Sequence, residues 1–448
     1  MAQSFYPGVR LPPRNPDFPA SSQRRWGIAF LLAFGVIIAF FDRINLAVSQ
    51  GALHASFGIS LVAFGYLASA FSVTYAAMQV PAGMLLDRFG IRRVGRVSTL
   101  LWSLASFAAA ISPGLAIFFA ARFLLGIAEA PTFPANAKAI GLWFPQQERS
   151  LPIAITDAAA KFSSAIGVPF LGLLLLHFGW RLTFAATGLL SFFYFLLFYV
   201  YYRNPEEDRD GAPPELDESN TGHGHEETAL DTTDRDSTTE MARLLYLLRQ
   251  PKVYGLALGW GAYNYSFFLL LNWLPTYLSI THHMDLFHSV FYTSAPWLFA
   301  TVTDLAIGGW LVDALIQRGW NANRVRQTVL IVGTGFGLAI FGAAHPRSAT
   351  TALVWISLAL GGLAAAAPVA WTVPCLIAPH NSVGTLASIA NLSGQLAAIS
   401  APVITGYIVS ATHSFASAFI TAALILLLGI IGYGVLLGRI EPIRDPPR

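Results

Sequence analysis

Eight charged side chains interrupt stretches that otherwise read as hydrocarbon: Asp42, Arg43, Arg122, Glu129, Lys138, Asp157, Lys161 and Asp304. Each costs at least about 2.5–3.5 kcal/mol at the centre of a membrane helix, so such residues usually face a cavity and act there. Seven of the eight precede residue 162. Structural locks would scatter, so a concentrated site is expected in that half. Arginine suits a carboxylate because its fork donates two parallel hydrogen bonds and stays charged. A carboxylate in a low-dielectric cavity suits proton carriage because desolvation penalises its charged form. Arg122 and Glu129 are seven residues apart. They share a helix face but sit about 10 Å apart along the axis, too far for a direct pair. Gly126 between them leaves room for a neighbour or a ligand. Adjacent Asp42 and Arg43 point about 100° apart on a helix. One arrangement sends Arg43 into a central cavity and Asp42 toward Arg122; in the other, Asp42 only neutralises its basic neighbour. Asp157 and Lys161 are one helical turn apart. Either Lys161 adds an anion contact, for a second carboxylate, or the two compensate each other. Lys138 is expected to snorkel to the interface, and Asp304 to serve the packing of the second half.

The elements that position these groups are apolar helices. Of 448 residues 55% are hydrophobic and only 11% charged, with a mean hydropathy of +0.56, whereas a soluble chain carries about a quarter charged residues. Apolar segments near the ~20 residues needed to cross a bilayer run at 26–48, 60–83, 95–112, 115–142, 150–175, 181–202, 253–279, 289–315, 325–344, 351–377, 384–410 and 414–437. The expected fold is an all-α membrane protein of twelve transmembrane helices in two six-helix bundles. Residues 1–25 form an N-terminal tail, 26–202 the first bundle, 203–250 a linker, 251–438 the second bundle and 439–448 a C-terminal tail. The linker holds 13 of the 24 acidic residues and too little apolar surface to order itself. Lysines and arginines gather at Arg10, Arg14, Arg24, Arg25, Arg88, Arg92, Arg93, Arg96 and Arg149, while the opposite loops hold only Arg181 and Arg347. By the positive-inside rule both termini are cytoplasmic.

The net charge of +3 follows from arginines between spans, so no nucleic-acid partner is implied. The single cysteine, Cys375, excludes an intrachain disulfide and a multi-cysteine metal site. No nucleophile–base pairing or phosphate-cradling loop argues for an enzyme, and no metal or cofactor is expected. The halves repeat: "GMLLDRFGIRR" at 83–93 and "GWLVDALIQR" at 309–318 each place a glycine at a helix end, an aspartate four residues on and basic residues beyond. Parallel repeats of six helices place a substrate site near the midplane between them. Polar residues in the spans of the second half are mostly neutral, among them Tyr263, Trp371 and Asn391. Such donors suit the hydroxyls and apolar edges of a small ligand. Asp87 and Asp313 can face helix N-termini and, with Arg88, act as gating residues.

"GMLLDRFGIRR" resembles the signature loop of the major facilitator superfamily. Within it, "FFDRINLAV", "RFLLGIAEAPTFPANAKAI", "NWLPTYL" and "ASIANLSGQLAAISAPVITGYI" resemble the anion:cation symporter family, which includes bacterial sugar-acid, hexuronate and tartrate transporters and animal sialin and vesicular glutamate transporters. The resemblance spans residues 24–439 apart from the linker. It implies secondary active import of an organic anion with protons, by a bacterial inner-membrane protein acting as a monomer. By the same resemblance, Asp42, Glu129 and Arg122 match proton-coupling positions and Arg43 the base that binds the substrate carboxylate. Tyr75, Trp371 and Asn391 match sugar-acid contacts. Asp157 and Lys161 depart from the pattern, since small or neutral polar residues are usual there. Facilitated diffusion or anion exchange is the alternative within the fold; a membrane sensor signalling through the linker is the alternative outside it.

Overall fold

The computed structural model of the chain describes residues 22–144, 150–204, 245–379 and 383–444. Arg149, nearly all of the N-terminal tail and most of the acidic linker lie outside the described residues. The described first half comprises α1 (Ser22–Val48), α2 (Gln50–Phe57), α3 (Leu61–Ala77), α4 (Gln79–Ala110), α5 (Leu115–Glu129), α6 (Thr132–Trp143) and α7 (Ser150–Tyr201). The second comprises α8 (Pro251–His282), α9 (Leu286–Thr303), a π-helical stretch Asp304–Leu311, α10 (Val312–Gln317), α11 (Ala322–Gly337), α12 (Ala349–Ile377), α13 (Val383–Thr412) and α14 (Ala416–Ile431). By length and composition, eight helices among the described residues suit a membrane crossing, or nine if the sharply bent pair α2 and α3 counts as one.

Two of the longest helices are not single rods. Gly90 in α4 (φ 76°) and Gly179 in α7 (φ 74°) break them, in a backbone region that glycine enters without steric cost. Beyond these breaks 91–110 runs antiparallel to 180–201: Arg96 Nη2 donates to the Tyr199 carbonyl at 2.9 Å, and Arg181 Nη2 to the Ser112 carbonyl at 3.3 Å. The repeated motif therefore breaks later than its first glycine implies. Gly83 and Gly309 stay helical, and the positive-φ glycines are Gly90 and, after α10, Gly319 (φ 87°). Lys138 reaches the end of a neighbouring helix. Its ammonium donates to the Leu86 carbonyl at 3.1 Å, satisfying an acceptor in the last turn before Gly90.

Helix starts follow from local sequence. Ser60, Asp285, Asn321 and Ser348 each accept a hydrogen bond from the backbone N–H three residues on, the N-cap arrangement worth about 1 kcal/mol. At Asp285 the His288 backbone N–H, then its imidazole, hold the carboxyl below the usual range. The second bundle also binds its own tail: Tyr246 and Lys252 donate to the Arg444 and Glu441 carbonyls, each at 2.8 Å, and the Ile443 N–H donates to the Ile377 carbonyl at 2.8 Å.

The halves meet along α3–α13, α7–α9 and α1–α8, and small residues set the spacing. A Cβ on Gly65 would lie 2.6 Å from the Pro402 carbonyl oxygen, one on Gly406 2.7 Å from that of Leu61, and one on Gly172 2.6 Å from Val290. Ser69 donates to the Ile399 carbonyl at 2.6 Å, and the hydroxyls of Tyr66 and Tyr407 lie 3.0 Å apart. These contacts join the halves at the end that carries α2. A Gly65→Leu variant should part them there, because the obstructing atom is backbone and cannot rotate away. Overpacking of this kind costs about 1–3 kcal/mol. With Cys375 replaced by serine, Tyr66→Cys and Tyr407→Cys should be bridged by a short bifunctional reagent. Adding Gly65→Leu should lower the bridging yield about tenfold; an unchanged yield would count against the close crossing.

Candidate functional site

Arg43 reaches from α1 to the C-terminal end of α5, where its Nε and Nη2 donate to one oxygen of Glu129 at 3.1 and 2.8 Å. Both residues are buried, Glu129 completely. The guanidinium carbon also lies 4.6 Å from the ring centres of Phe40 and Phe71 and 5.4 Å from that of Tyr75. Aromatic faces attract a cation most when water is excluded. Phe71 also has Arg122 at 5.4 Å, so one ring serves both arginines. Gly126 makes this possible. A Cβ there would lie 2.2 Å from Thr74 Oγ1 and 2.3 Å from the Phe71 carbonyl oxygen, so the space it leaves is taken by α3. The other oxygen of Glu129 is buried without a hydrogen-bond partner, an uncommon state for a carboxylate.

Asp42 departs from the arrangement expected of it. Its carboxylate turns away from Arg122, into the interior between α4 and α7. There it accepts hydrogen bonds from Trp102 Nε1, from Ser106 Oγ at 2.7 Å and from Ser191 Oγ at 3.0 Å. Arg122 donates instead to the Asp42 backbone carbonyl at 3.2 Å. Two adjacent charges on one helix thus serve different neighbours. Arg43 faces α3 and α5; Asp42 faces three neutral donors.

Lys161 has a partner from the second half that its own helix does not supply. Its ammonium sits 2.8 Å from Asp157, one turn earlier on α7, and 2.8 Å from Asp304, at the start of the π-helical stretch. The distances fit the compensating reading of the Asp157–Lys161 pair, with Asp304 as a third member. Asp304 is therefore not confined to packing its own bundle. It crosses the seam between the halves.

The remaining residues form two groups. Trp371 meets Trp260 edge-on at 4.8 Å, Trp260 stacks on Tyr263 at 5.0 Å, Tyr263 lies 5.8 Å from Phe267, and Phe267 meets Phe40 at 6.5 Å. This row of rings crosses from the second half to the guanidinium of Arg43 and links Tyr263 and Trp371 to Tyr75 through it. Asn391 is half-buried on α13, one turn before Gly394, whose Cβ would lie 2.8 Å from Trp260 Nε1. Arg88 and Asp313 are exposed, and Arg88 lies over the neighbouring Phe89 ring at 5.2 Å. The Asp87 side chain lies outside the described residues. Sequence reading passed over Trp102, Ser106, Ser191 and the aromatic floor of Phe40 and Phe71. A signal for the donors exists: Trp102 with Ser106, and Thr187 with Ser191, are polar pairs four residues apart inside apolar spans.

Two helical halves joined at matching helices, with buried charge between α1 and α5 and across the seam, define a membrane transporter of the two-bundle class. Residues 32–321 match the Major Facilitator Superfamily, and the chain belongs to that family. It is 38% identical over 421 residues to the "Uncharacterized transporter YybO" of Bacillus subtilis (strain 168), covering 94% of this chain and 95% of that one. It is 31% identical over 418 residues to the "Probable L-galactonate transporter" of Escherichia coli (strain K12), covering 93% and 89%. In fold it matches a bacterial homolog of the human lysosomal transporter Spinster with a TM-score of 0.72 at 17% identity, over 93% of this chain and 98% of that one. The protein is a multi-pass integral protein of the bacterial inner membrane, a transporter and not an enzyme.

Proposed function

We propose that the protein imports a small organic anion by proton symport, through alternating access of its two halves. The anion is a sugar acid of the galactonate, hexuronate or glucarate type, or a related hydroxy-carboxylate. The observation that carries this reading is the Arg43–Glu129 pair. An arginine fork already engaged by an internal carboxylate is released when that carboxylate takes a proton. It then offers the same two donors to the carboxylate of an incoming anion. Coupling follows, because anion and proton arrive together or not at all. In this reading Asp42 takes up a proton along with Glu129, Arg122 completes the coupling network, and Tyr75, Tyr263, Trp371 and Asn391 meet the hydroxyls and edges of the cargo. The name of the galactonate relative supports the substrate class. Twelve spans, cytoplasmic termini, a monomeric unit and gating by Asp87, Arg88 and Asp313 belong to the same reading. The breaks at Gly90 and Gly179 support the count of twelve by dividing α4 and α7.

Glu129→Gln in proteoliposomes is the test. It mimics a permanently protonated site, so counterflow of labelled anion should persist while accumulation driven by a pH gradient falls to the equilibrium level. Accumulation matching the parent would overturn the coupling role. A parent protein that shows counterflow and no gradient-driven uptake would point to exchange or facilitated diffusion instead.

A further inference from the structure

The three-membered cluster at the seam is not used by the mechanism above. Asp157 and Lys161 come from α7 and Asp304 from the second half. With all three ionised the cluster carries one excess negative charge. Buried charges persist only when paired and hydrogen-bonded, and an excess one resolves by neutralisation. The two acids are not equivalent. Asp157 is hydrogen-bonded to Lys161 at 2.8 Å, and its side chain is 29% exposed. Asp304 is 3% exposed on its side chain. It sits 2.8 Å from the ammonium without a well-aligned hydrogen bond, and it faces Asp157 within the same cluster. Asp304 is thus the poorly supported anion, and Asp157 gives the cluster a route to water.

Few other groups can balance the charge. Tyr263 of α8 also faces this cluster, and its neutral hydroxyl adds no charge. α12, which packs along the π-helical stretch, carries no charged side chain, and Asp313 of α10 is exposed. The backbone at Asp304 is also unusual. An eight-residue π-helical stretch begins there, with Gly308 pressed so closely on α12 that a Cβ would lie 2.7 Å from the Ala365 carbonyl oxygen. π-helical insertions recur at functional sites because they re-aim a side chain at some cost to the helix.

We propose that Asp304, held against Lys161 at the seam of the two halves, is a proton-binding site separate from the Arg43–Glu129 pair. The proton enters by way of Asp157 and settles on a carboxylate oxygen of Asp304. Lys161 and Asp157 are then left as a neutral pair within α7, and the link across the seam weakens from an ion pair to a hydrogen bond. Loss of the proton restores the ion pair and draws α7 and the π-helical stretch together. The part this plays in the transport cycle rests on the proton-symport reading; the binding of the proton does not.

Full-length protein in lipid nanodiscs, without substrate and with isotopically labelled aspartate carboxyls, provides the test through infrared difference spectra between alkaline and acidic buffer. An aspartic-acid carbonyl band should appear on acidification, disappear in Asp304→Asn and persist in Glu129→Gln and Asp42→Asn. In Asp304→Glu it should leave the labelled aspartate set and reappear among the unlabelled carboxyls, which separates loss of the site from loss of the fold. An aspartic-acid spectrum unchanged by Asp304→Asn would overturn the proposal, as would a response to sodium in place of acid. Failure of proton symport would show in the uptake assay and leave these bands in place, so the two ideas fail separately.

Discussion

Replacing Arg43 by alanine is expected to abolish anion uptake and to destabilise the protein by about 3–5 kcal/mol, the usual consequence of stripping one partner from a buried ion pair. The effect is large because Glu129 is fully buried and its other oxygen already lacks a partner. With Arg43 gone, no hydrogen bond to the carboxylate remains among those the structure describes. The rings of Phe40 and Phe71, each 4.6 Å from the guanidinium, would also lose their cation. Pairing the change with Glu129→Gln should restore much of the stability, because the stranded charge is removed, and the two substitutions should be strongly non-additive. Uptake should not return in the double variant, because the anion's partner is still missing. Arg43→Lys keeps the charge but not the fork. A loss of about 2 kcal/mol or more in a buried charge contact corresponds to a rise in apparent KM of about thirtyfold. Denaturation in detergent and initial-rate uptake in proteoliposomes read the two effects apart. Normal KM in the double variant would remove Arg43 from the binding site.

Asp42→Leu should produce the second largest effect, on stability before function. The carboxylate accepts from Trp102, Ser106 and Ser191 and is buried. Leucine has the right size but no acceptor, so three buried donors lose their partner at about 1–3 kcal/mol each. A total of about 3 kcal/mol or more is expected. Asp42→Asn keeps one carbonyl oxygen and turns an amide toward the remaining donors, so its penalty should be clearly smaller. Trp102→Phe removes one donor and should relieve part of the cost of Asp42→Leu when the two are combined. Equal unfolding midpoints for Asp42→Leu and Asp42→Asn would show that the three hydrogen bonds contribute little.

The sequence was informative wherever a single segment carried the signal. Hydropathy marked the spans because the bilayer penalises every charge within them. Of the eight residues the same penalty picked out, Asp42, Arg43, Arg122, Glu129, Lys161 and Asp304 are buried, while Lys138 and Asp157 are half-buried. Seven-residue spacing correctly kept Arg122 and Glu129 from pairing with each other. Neutral donors were harder to see, because Ser106, Ser191 and Trp102 cost little in an apolar span and so raise no alarm. The turn at Gly90 was misplaced at Gly83 for a similar reason: both are glycines, and only the path of the chain shows which one leaves the helical region.

By itself the sequence determined that this is a helical membrane protein of two repeated halves, with most of its buried charge in the first, and of a recognisable family. Only the tertiary structure decided who meets whom. It set Arg43 on Glu129, turned Asp42 to three neutral donors and joined Lys161 to an aspartate from the other half. Helical periodicity fixes directions around one helix axis. The rotation of each helix against its neighbours is a property of the packed bundle, set by contacts such as Gly126 on α3 and Gly65 on α13, between segments that lie far apart in the chain.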